Sequence, residues 1–250
     1  MIRASRQATS MLAVHLAVFA TVFSGCIGAQ GERAEQSKGV EITFFDVGQA
    51  DAILVRSPEG RTALIDAGRS EDVVDLLRSS SVDSLDVAIA SHGHADHIGG
   101  MEAVIRQLPV RYYVDNGVPH TTATYLRLQR ALVDSDVQYL RPEARSIRLG
   151  TVALQILPPP GDVDEGQNHN SVGVIVTFGR FRALLTGDSE VEELNHFLTL
   201  GVPNVTVLKA AHHGARDAVT PAWLAATKPE VVVISCGPDN PYGHPDEWAL

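Results

Sequence analysis

Three histidines and an aspartate fall within six positions of this chain: His92, His94, Asp96 and His97, in the stretch Ser91-His92-Gly93-His94-Ala95-Asp96-His97-Ile98-Gly99-Gly100. Neutral imidazole and carboxylate are the donors that a borderline divalent cation takes. The run Leu85–Ala90 just before them reads as a short buried strand, β-branched at Val87 and Ile89 and ended by Ser and Gly. Side chains leaving such a strand on a glycine-bearing loop can converge on one point. A solvated loop that is merely histidine-rich is a poor account of four ligand types in six positions. The spacing predicts a metal site.

Further candidates recur where other apolar runs end. Leu185 leads into Thr186-Gly187-Asp188, and Asn204–Lys209 leads into Ala210-Ala211-His212-His213-Gly214. Loops at one edge of a rigid sheet are where functional groups concentrate. The two oxygens of Asp188 could bridge two cations. Two metals about 3.5–4 Å apart can hold a hydroxide between them and polarise the bond it attacks. His15, His120 and His196 carry no supporting motif and are read as inert.

The elements that must position these groups follow from periodicity and turn chemistry. Strands are expected at Val40–Asp46, Asp51–Arg56, Arg61–Asp66, Leu85–Ala90, Val110–Val114, Val137–Leu140, Ser146–Leu149, Val152–Leu157, Val172–Phe178, Phe181–Leu185, Asn204–Lys209 and Val231–Ser235. Helices are expected at Asp72–Leu77, Ile98–Leu108, Thr121–Val133, Val191–Leu200 and Pro221–Thr227, with Ser189 as a cap and Glu190, Glu192 and Glu193 favourable at the helix start after it. Hairpins at residues 40–66 and 172–185 deny a wholly parallel sheet, since parallel neighbours need a long crossover. Two sheets inside with helices outside, an α/β assembly, is the better fit.

A hydrophobic share of 44% with 20% charged residues describes a globular chain with ample core. The formal net charge is −10, from 20 Lys and Arg against 30 Asp and Glu, and such a surface repels polyanions at long range. Arg3 and Arg6 followed by the apolar run Met11–Phe23 read as an export signal, too short for a comfortable membrane span. Phe23-Ser24-Gly25-Cys26 resembles a bacterial lipobox, departing from it at Phe23, which makes Cys26 the expected lipidation site and first mature residue. The expected organisation is a lipoprotein-type signal peptide over 1–25, a flexible tether over 26–39 and one α/β domain carrying the candidate metal site over 40–250. The expected location is the bacterial cell envelope, anchored through that lipid, with plain secretion as the alternative. No disulfide is expected, because Cys236 is the one other cysteine; it reads as a small buried hydrophobe at a strand end.

His92-x-His94-x-Asp96-His97 resembles the signature of the metallo-β-lactamase superfamily. Around it, Phe45-Asp46-Val47-Gly48-Gln49-Ala50-Asp51, Leu64-Ile65-Asp66-Ala67-Gly68, Asn170-Ser171, Leu185-Thr186-Gly187-Asp188, His212-His213-Gly214 and Tyr242-Gly243-His244-Pro245 resemble the extracytoplasmic hydrolase domain of ComEC-type DNA-uptake proteins. The resemblance runs from about Val40 to the C-terminus and implies a four-layer αββα sandwich with two divalent metal ions, Zn foremost and Mn or Fe as alternatives, at one edge of the sheets. It implies that His92 and His94 bind one metal, Asp96 and His97 the second, with Asp188 bridging and His213 completing the second. Asp66 would orient a ligand histidine through its other ring nitrogen. His212 would either support the ligands from behind or face substrate, and His244 would meet substrate or donate a proton to the leaving group. His169 stands near the place of a further histidine ligand, but ComEC-like members often carry asparagine there, as at Asn168 and Asn170, so ligand and loop histidine both stay open. The commonest class B β-lactamases carry a cysteine where Asp188 stands, which disfavours that branch.

The implied activity is metal-dependent hydrolysis, with Asp96, His212 and His244 as catalytic candidates, on a phosphodiester substrate in a nuclease-like reaction. The alternatives are a small envelope ester (a phosphorylcholine-type diester or a lactone) and a non-catalytic, metal-stabilised binding protein. A basic trough near Arg56, Arg61 or Lys209 would favour the nuclease, and a narrow apolar pocket the small ester. Binding of long nucleic acid stays open. Asp246–Leu250 reads as the beginning of a helix that family members continue into a final strand, so either the sequence is truncated here or this is a shortened member whose last layer is incomplete.

Overall fold

The computed structural model describes residues 14–17, 39–161 and 166–250. Most of the expected signal peptide and tether, Cys26 included, lies outside the described residues. Among the described residues no helix is long and apolar enough to cross a membrane.

The first sheet contains β1 (Val14–Ala17), β2 (Glu41–Phe44), β3 (Ala52–Arg56), β4 (Thr62–Ala67), β5 (Leu85–Ile89), β6 (Val110–Val114) and β7 (Gln138–Leu140), side by side in that order. Its β2-β3-β4 part is an antiparallel meander, and β4 through β7 run parallel because α1 (Asp72–Ser79), α2 (Ala95–Ile98), α3 (Met101–Gln107) and α4 (Ala123–Val133) supply the crossovers. The second sheet has the order β13-β12-β11-β10-β9-β8, from β8 (Arg145–Leu149), β9 (Val152–Leu157), β10 (Gly173–Phe178), β11 (Phe181–Leu185), β12 (Val207–Lys209) and β13 (Val231–Val233). Here β8 to β11 are antiparallel, and α5 (Val191–Thr199) and α6 (Pro221–Thr227) make the parallel crossovers to β12 and β13.

Alternation along each strand builds three apolar layers. Ile42, Ile53, Val55, Ile65, Val87 and Ile89 face Leu154, Ile156, Val174, Val176 and Leu185 between the sheets. The opposite faces of the same strands, with Leu54, Leu64 and Ala88, take the helices through Val73, Leu77, Met101, Val104 and Leu128. Leu184 and Leu208 of the second sheet take Phe197 and Trp223. Each fully buried aliphatic or aromatic side chain contributes about 1.5–3 kcal/mol from burial. The result is the expected αββα sandwich.

The helix expected over Ile98–Leu108 divides into α2 and α3 at Gly99-Gly100. The Gly100 N–H leaves the helical ladder and donates to the Gly68 carbonyl at 3.3 Å. A Cβ on Gly100 would lie 2.3 Å from the Ser70 carbonyl oxygen, so only glycine lets this turn press onto the Ala67–Ser70 backbone. Ser189 does not cap α5: its hydroxyl donates to the Thr186 carbonyl at 2.6 Å, and Glu190 takes the N-cap place. Glu193 is fully buried rather than solvated on the first turn. Cys236 is free and partly exposed, because β13 is a sheet edge. Asp246 does begin a turn of helix, Glu247–Ala249, with its carboxylate accepting from the Trp248 N–H.

Candidate metal centre

The carboxyl ends of β4, β5, β11 and β12 lie at one edge of the two sheets, and the candidate ligands leave from there, as ligands do in open α/β sheets. Asp66 is the extra residue of a bulge, since Ala52 pairs with Ala67 and Ile53 with Ile65. Its φ of +57° turns the carboxylate away from the strand and into the site. There Asp66 accepts from the Ser91 N–H at 2.7 Å, from the Ser91 hydroxyl at 2.8 Å and from His97 Nδ1 at 2.8 Å. A carboxylate acceptor places the His97 proton on Nδ1 and leaves Nε2 free to face Asp188, 3.2 Å away.

His92 Nε2 lies 3.0 Å from His94 Nδ1 and 3.9 Å from Asp188 Oδ2. His213 donates from Nδ1 to the Ser235 carbonyl at 2.9 Å, which aims Nε2 at Asp188 (3.6 Å) and Asp96 (3.8 Å). Two donor sets thus share His97, namely His92/His97/Asp188 and Asp96/His97/His213, the ligand atoms of each lying within 4.8 Å of one another, and His94 falls in neither. His97 Nε2, His213 Nε2 and Asp188 Oδ1 are buried and make no aligned hydrogen bond. An orphaned buried polar atom costs about 1–3 kcal/mol, so three converging ones fit divalent cations rather than a packed core. The donors are imidazole and carboxylate without thiolate, a set that Zn, Mn and Fe all accept.

Electrostatics agree for three of the four histidines. Burial pushes His92 well below the usual histidine range and lowers His94 and His213, so all three are neutral donors near neutrality. Burial also disfavours charge on His97, but Asp188 and Asp66 outweigh it and hold His97 well above that range. Burial alone would raise Asp188; His97, then His92 and His213, carry it well below the usual carboxylate range. Burial raises Asp66 despite His97.

The structure does not bring His169 into either set. Its Nε2 lies 3.5 Å from both Glu190 and Glu192. Asn168 lines the cavity beside the ligands instead, its amide donating to Glu190 at 3.1 Å. His212 and His213 both have positive φ, +45° and +54°, and this pair of left-handed residues splits their side chains. His213 turns inward, whereas His212 faces Asn168 and Glu190, 5.6 Å ring to ring from His244. Asp96 and His244 line the same cavity, and burial lowers His244. His120, read as inert, stacks edge-on to His94 at 5.8 Å.

Three residues at the site carried no metal-ligand signal. Asp51 and Lys209, both buried, form an ion pair beneath the ligands. A lysine closing the apolar run Val205–Leu208 is the signal that points to it, since a buried charge needs a partner. Gln167, also buried, accepts from the Gly93 N–H at 2.7 Å and clamps the histidine loop from the second sheet.

The cavity above the ligands is about 390 Å³ and is lined by Gln49, Arg69, Asn168, His212, Tyr242 and His244 opposite the ligand side chains. Arg69 reaches Asp96 Oδ2 at 3.3 Å and the Gln49 carbonyl at 2.9 Å. A larger cavity of about 750 Å³ lies at the opposite ends of β5 and β6, between Arg61, Asp86 and Arg111, and holds no histidine.

The sequence profile of the Metallo-beta-lactamase superfamily matches residues 45–237. Over 248 residues the chain is 23% identical to ComE operon protein 3 of Bacillus subtilis, covering 90% of this chain and 31% of that protein. It is 28% identical over 214 residues to Recombination protein 2 of Haemophilus influenzae, covering 82% of this chain and 25% of that one. The chain therefore spans about a third or less of the length of these relatives. Among solved structures, CmlA, a diiron beta-hydroxylase from Streptomyces venezuelae, is similar in fold, with a TM-score of 0.51 at 17% identity over 80% of this chain and 47% of that one.

Proposed function

Starting from the chain's membership of the metallo-beta-lactamase superfamily, we propose that it is a hydrolase of phosphodiester bonds at the cell envelope, held to the membrane by a lipid on Cys26. The observation that carries the hydrolase reading is the pair of donor sets that meet at His97, beside Asp188. His92, His94 and Asp188 would hold one cation, and Asp96, His97, His213 and Asp188 the second. When bound, the cations supply Lewis acidity toward an oxyanion.

The chain's own residues do the rest. Asp66 and Ser91 lock His97, Gln167 clamps Gly93, and Ser235 orients His213. Arg69 stands at the cavity wall with half its side chain exposed, placed to meet a substrate anion while it steadies Asp96. His212 and His244 face the same space and offer N–H groups to a leaving oxygen. The Arg69 guanidinium and the His212 and His244 imidazoles in the lining favour an anionic ester over a lactone. Substrate size is narrower than the nuclease reading expected. Lys209 is buried in its ion pair, and Arg56 and Arg61 are engaged with the Ser80 carbonyl and Asp86, so these three form no trough. A small or single-stranded diester reaching a 390 Å³ cavity fits better than duplex DNA.

The test is metal analysis joined to hydrolysis of bis(p-nitrophenyl)phosphate and single-stranded DNA. Two metals per chain with diester turnover are expected. A folded protein that takes no metal refutes the proposal, and turnover of a lactone but neither diester refutes the substrate class.

A further inference from the structure

Beneath the two donor sets lies a third, Asp51, Asp188 and His213, also buried and also with ligand atoms within 4.8 Å of one another. Its Asp51 corner is held from within the chain. Lys209, at the end of β12, is completely buried, and its ammonium meets the Asp51 carboxylate and donates to the Gly187 carbonyl at 3.3 Å. Asp51 in turn stands 3.8 Å from Nδ1 of both His97 and His213. Asp51 and Asp188 outweigh the burial that disfavours the ammonium and keep Lys209 charged. We propose that this ammonium is a built-in cation that occupies a third cation position of the centre and so limits it to two exchangeable metal ions. The proposal rests on the two-metal reading above.

The physical case is one of charge and reach. Asp51, Asp66 and Asp188 bring three buried carboxylates to one edge, with the partly exposed Asp96 beside them, and a buried carboxylate without a cation is costly. Lysine is a compact point charge, closer to a metal ion in shape than the planar guanidinium of arginine. Being covalently held, it can be neither exchanged nor chelated. It ties Asp51, at the start of β3 in the first sheet, to Gly187 and β12 in the second. Gly187 directly precedes Asp188, so the ammonium also fixes the backbone that aims the shared carboxylate. With the ammonium on Asp51 Oδ2, that oxygen is withdrawn from competition for the two cations above.

The test counts metals. The full chain, Lys209→Ala and the double variant Asp51→Asn/Lys209→Ala are saturated with Zn²⁺ or Mn²⁺, freed of excess and measured for metal per folded chain. Lys209→Ala is expected to hold one equivalent more than wild type, and the double variant to return to the wild-type count. Folded Lys209→Ala with the wild-type count overturns the proposal, as does an extra ion that survives in the double variant. If Lys209→Ala folds poorly without metal, its thermal midpoint is followed as Zn²⁺ is added: recovery with one equivalent beyond wild type supports the proposal, and a chain still unfolded in saturating Zn²⁺ overturns it. A wild-type chain that binds no metal defeats the hydrolase reading itself, whereas two metals in both proteins defeat only this inference.

Discussion

Replacing Glu193 by glutamine should stabilise the protein, increasingly so as pH rises. Glu193 is the third residue of α5 and is fully buried behind the Asp188 loop. Burial drives its carboxyl up to about 9 from an ordinary 4.5, and the Ser189 hydroxyl and Ser171 backbone offset this only in part. The folded value lies above the unfolded one, so between them the unfolded chain binds fewer protons than the folded chain. Stability therefore falls as pH rises from about 4.5 and levels off near 9. At pH 7.5, about three units into that window, the cost is about 4 kcal/mol at about 1.4 kcal/mol per unit. Glutamine keeps the shape and does not titrate. Urea denaturation of both proteins from pH 5 to 8.5 is the assay, read as the change with pH in the difference between them, which cancels every group they share. That difference should grow in favour of Glu193→Gln by roughly 1.4 kcal/mol per pH unit. A difference flat across the range would show that Glu193 ionises freely in the folded state, and the burial argument would fail.

Asp66→Asn should keep the bulge, since asparagine tolerates positive φ, but weaken the hold on His97 Nδ1; metal affinity measured by chelator competition should fall about 10–100-fold, and an unchanged affinity refutes the orienting role. Gly187→Ala places a Cβ 2.5 Å from Ser91 Cβ at φ +56° and should cost about 2–4 kcal/mol, whereas Gly179→Ala, at φ +57° with open space around it, should cost about 1 kcal/mol; equal costs would remove the steric part of the argument. Stripping metal with a chelator should lower the unfolding free energy by about 3 kcal/mol relative to protein in metal at a hundredfold over Kd, and an unchanged thermal midpoint would deny that the centre binds metal in the folded state alone.

Local pattern was a good guide wherever it was enforced by burial. Val110–Val114, Val152–Leu157, Phe181–Leu185 and Pro221–Thr227 have the bounds their periodicity implies, because each packs one or both faces into a continuous core. Boundaries slipped where backbone contacts between distant segments intervened. The Gly68 carbonyl takes the Gly100 N–H and divides a helix that periodicity reads as continuous. Glu193 shows the same limit for charge: three acids at a helix start look solvated until the facing sheet covers one of them.

For the site, residue type and spacing within Ser91–Gly100 determined that a metal-binding chemistry is present, and motif resemblance extended the set to Asp66, Asp188 and His213. What no spacing could supply is the choice among neighbours. His213 rather than His212 faces the ligands because two successive left-handed residues split their directions, and Asn168 rather than His169 lines the cavity because His169 turns toward Glu190 and Glu192. The buried pair of Asp51 and Lys209 joins residues on separate sheets, far apart in the chain, so nothing local to either one names the other. Donor chemistry is a property of side chains and can be read in order along the chain. Which donors share a cation is a property of distances of a few ångströms, and those exist only once the two sheets have closed on each other.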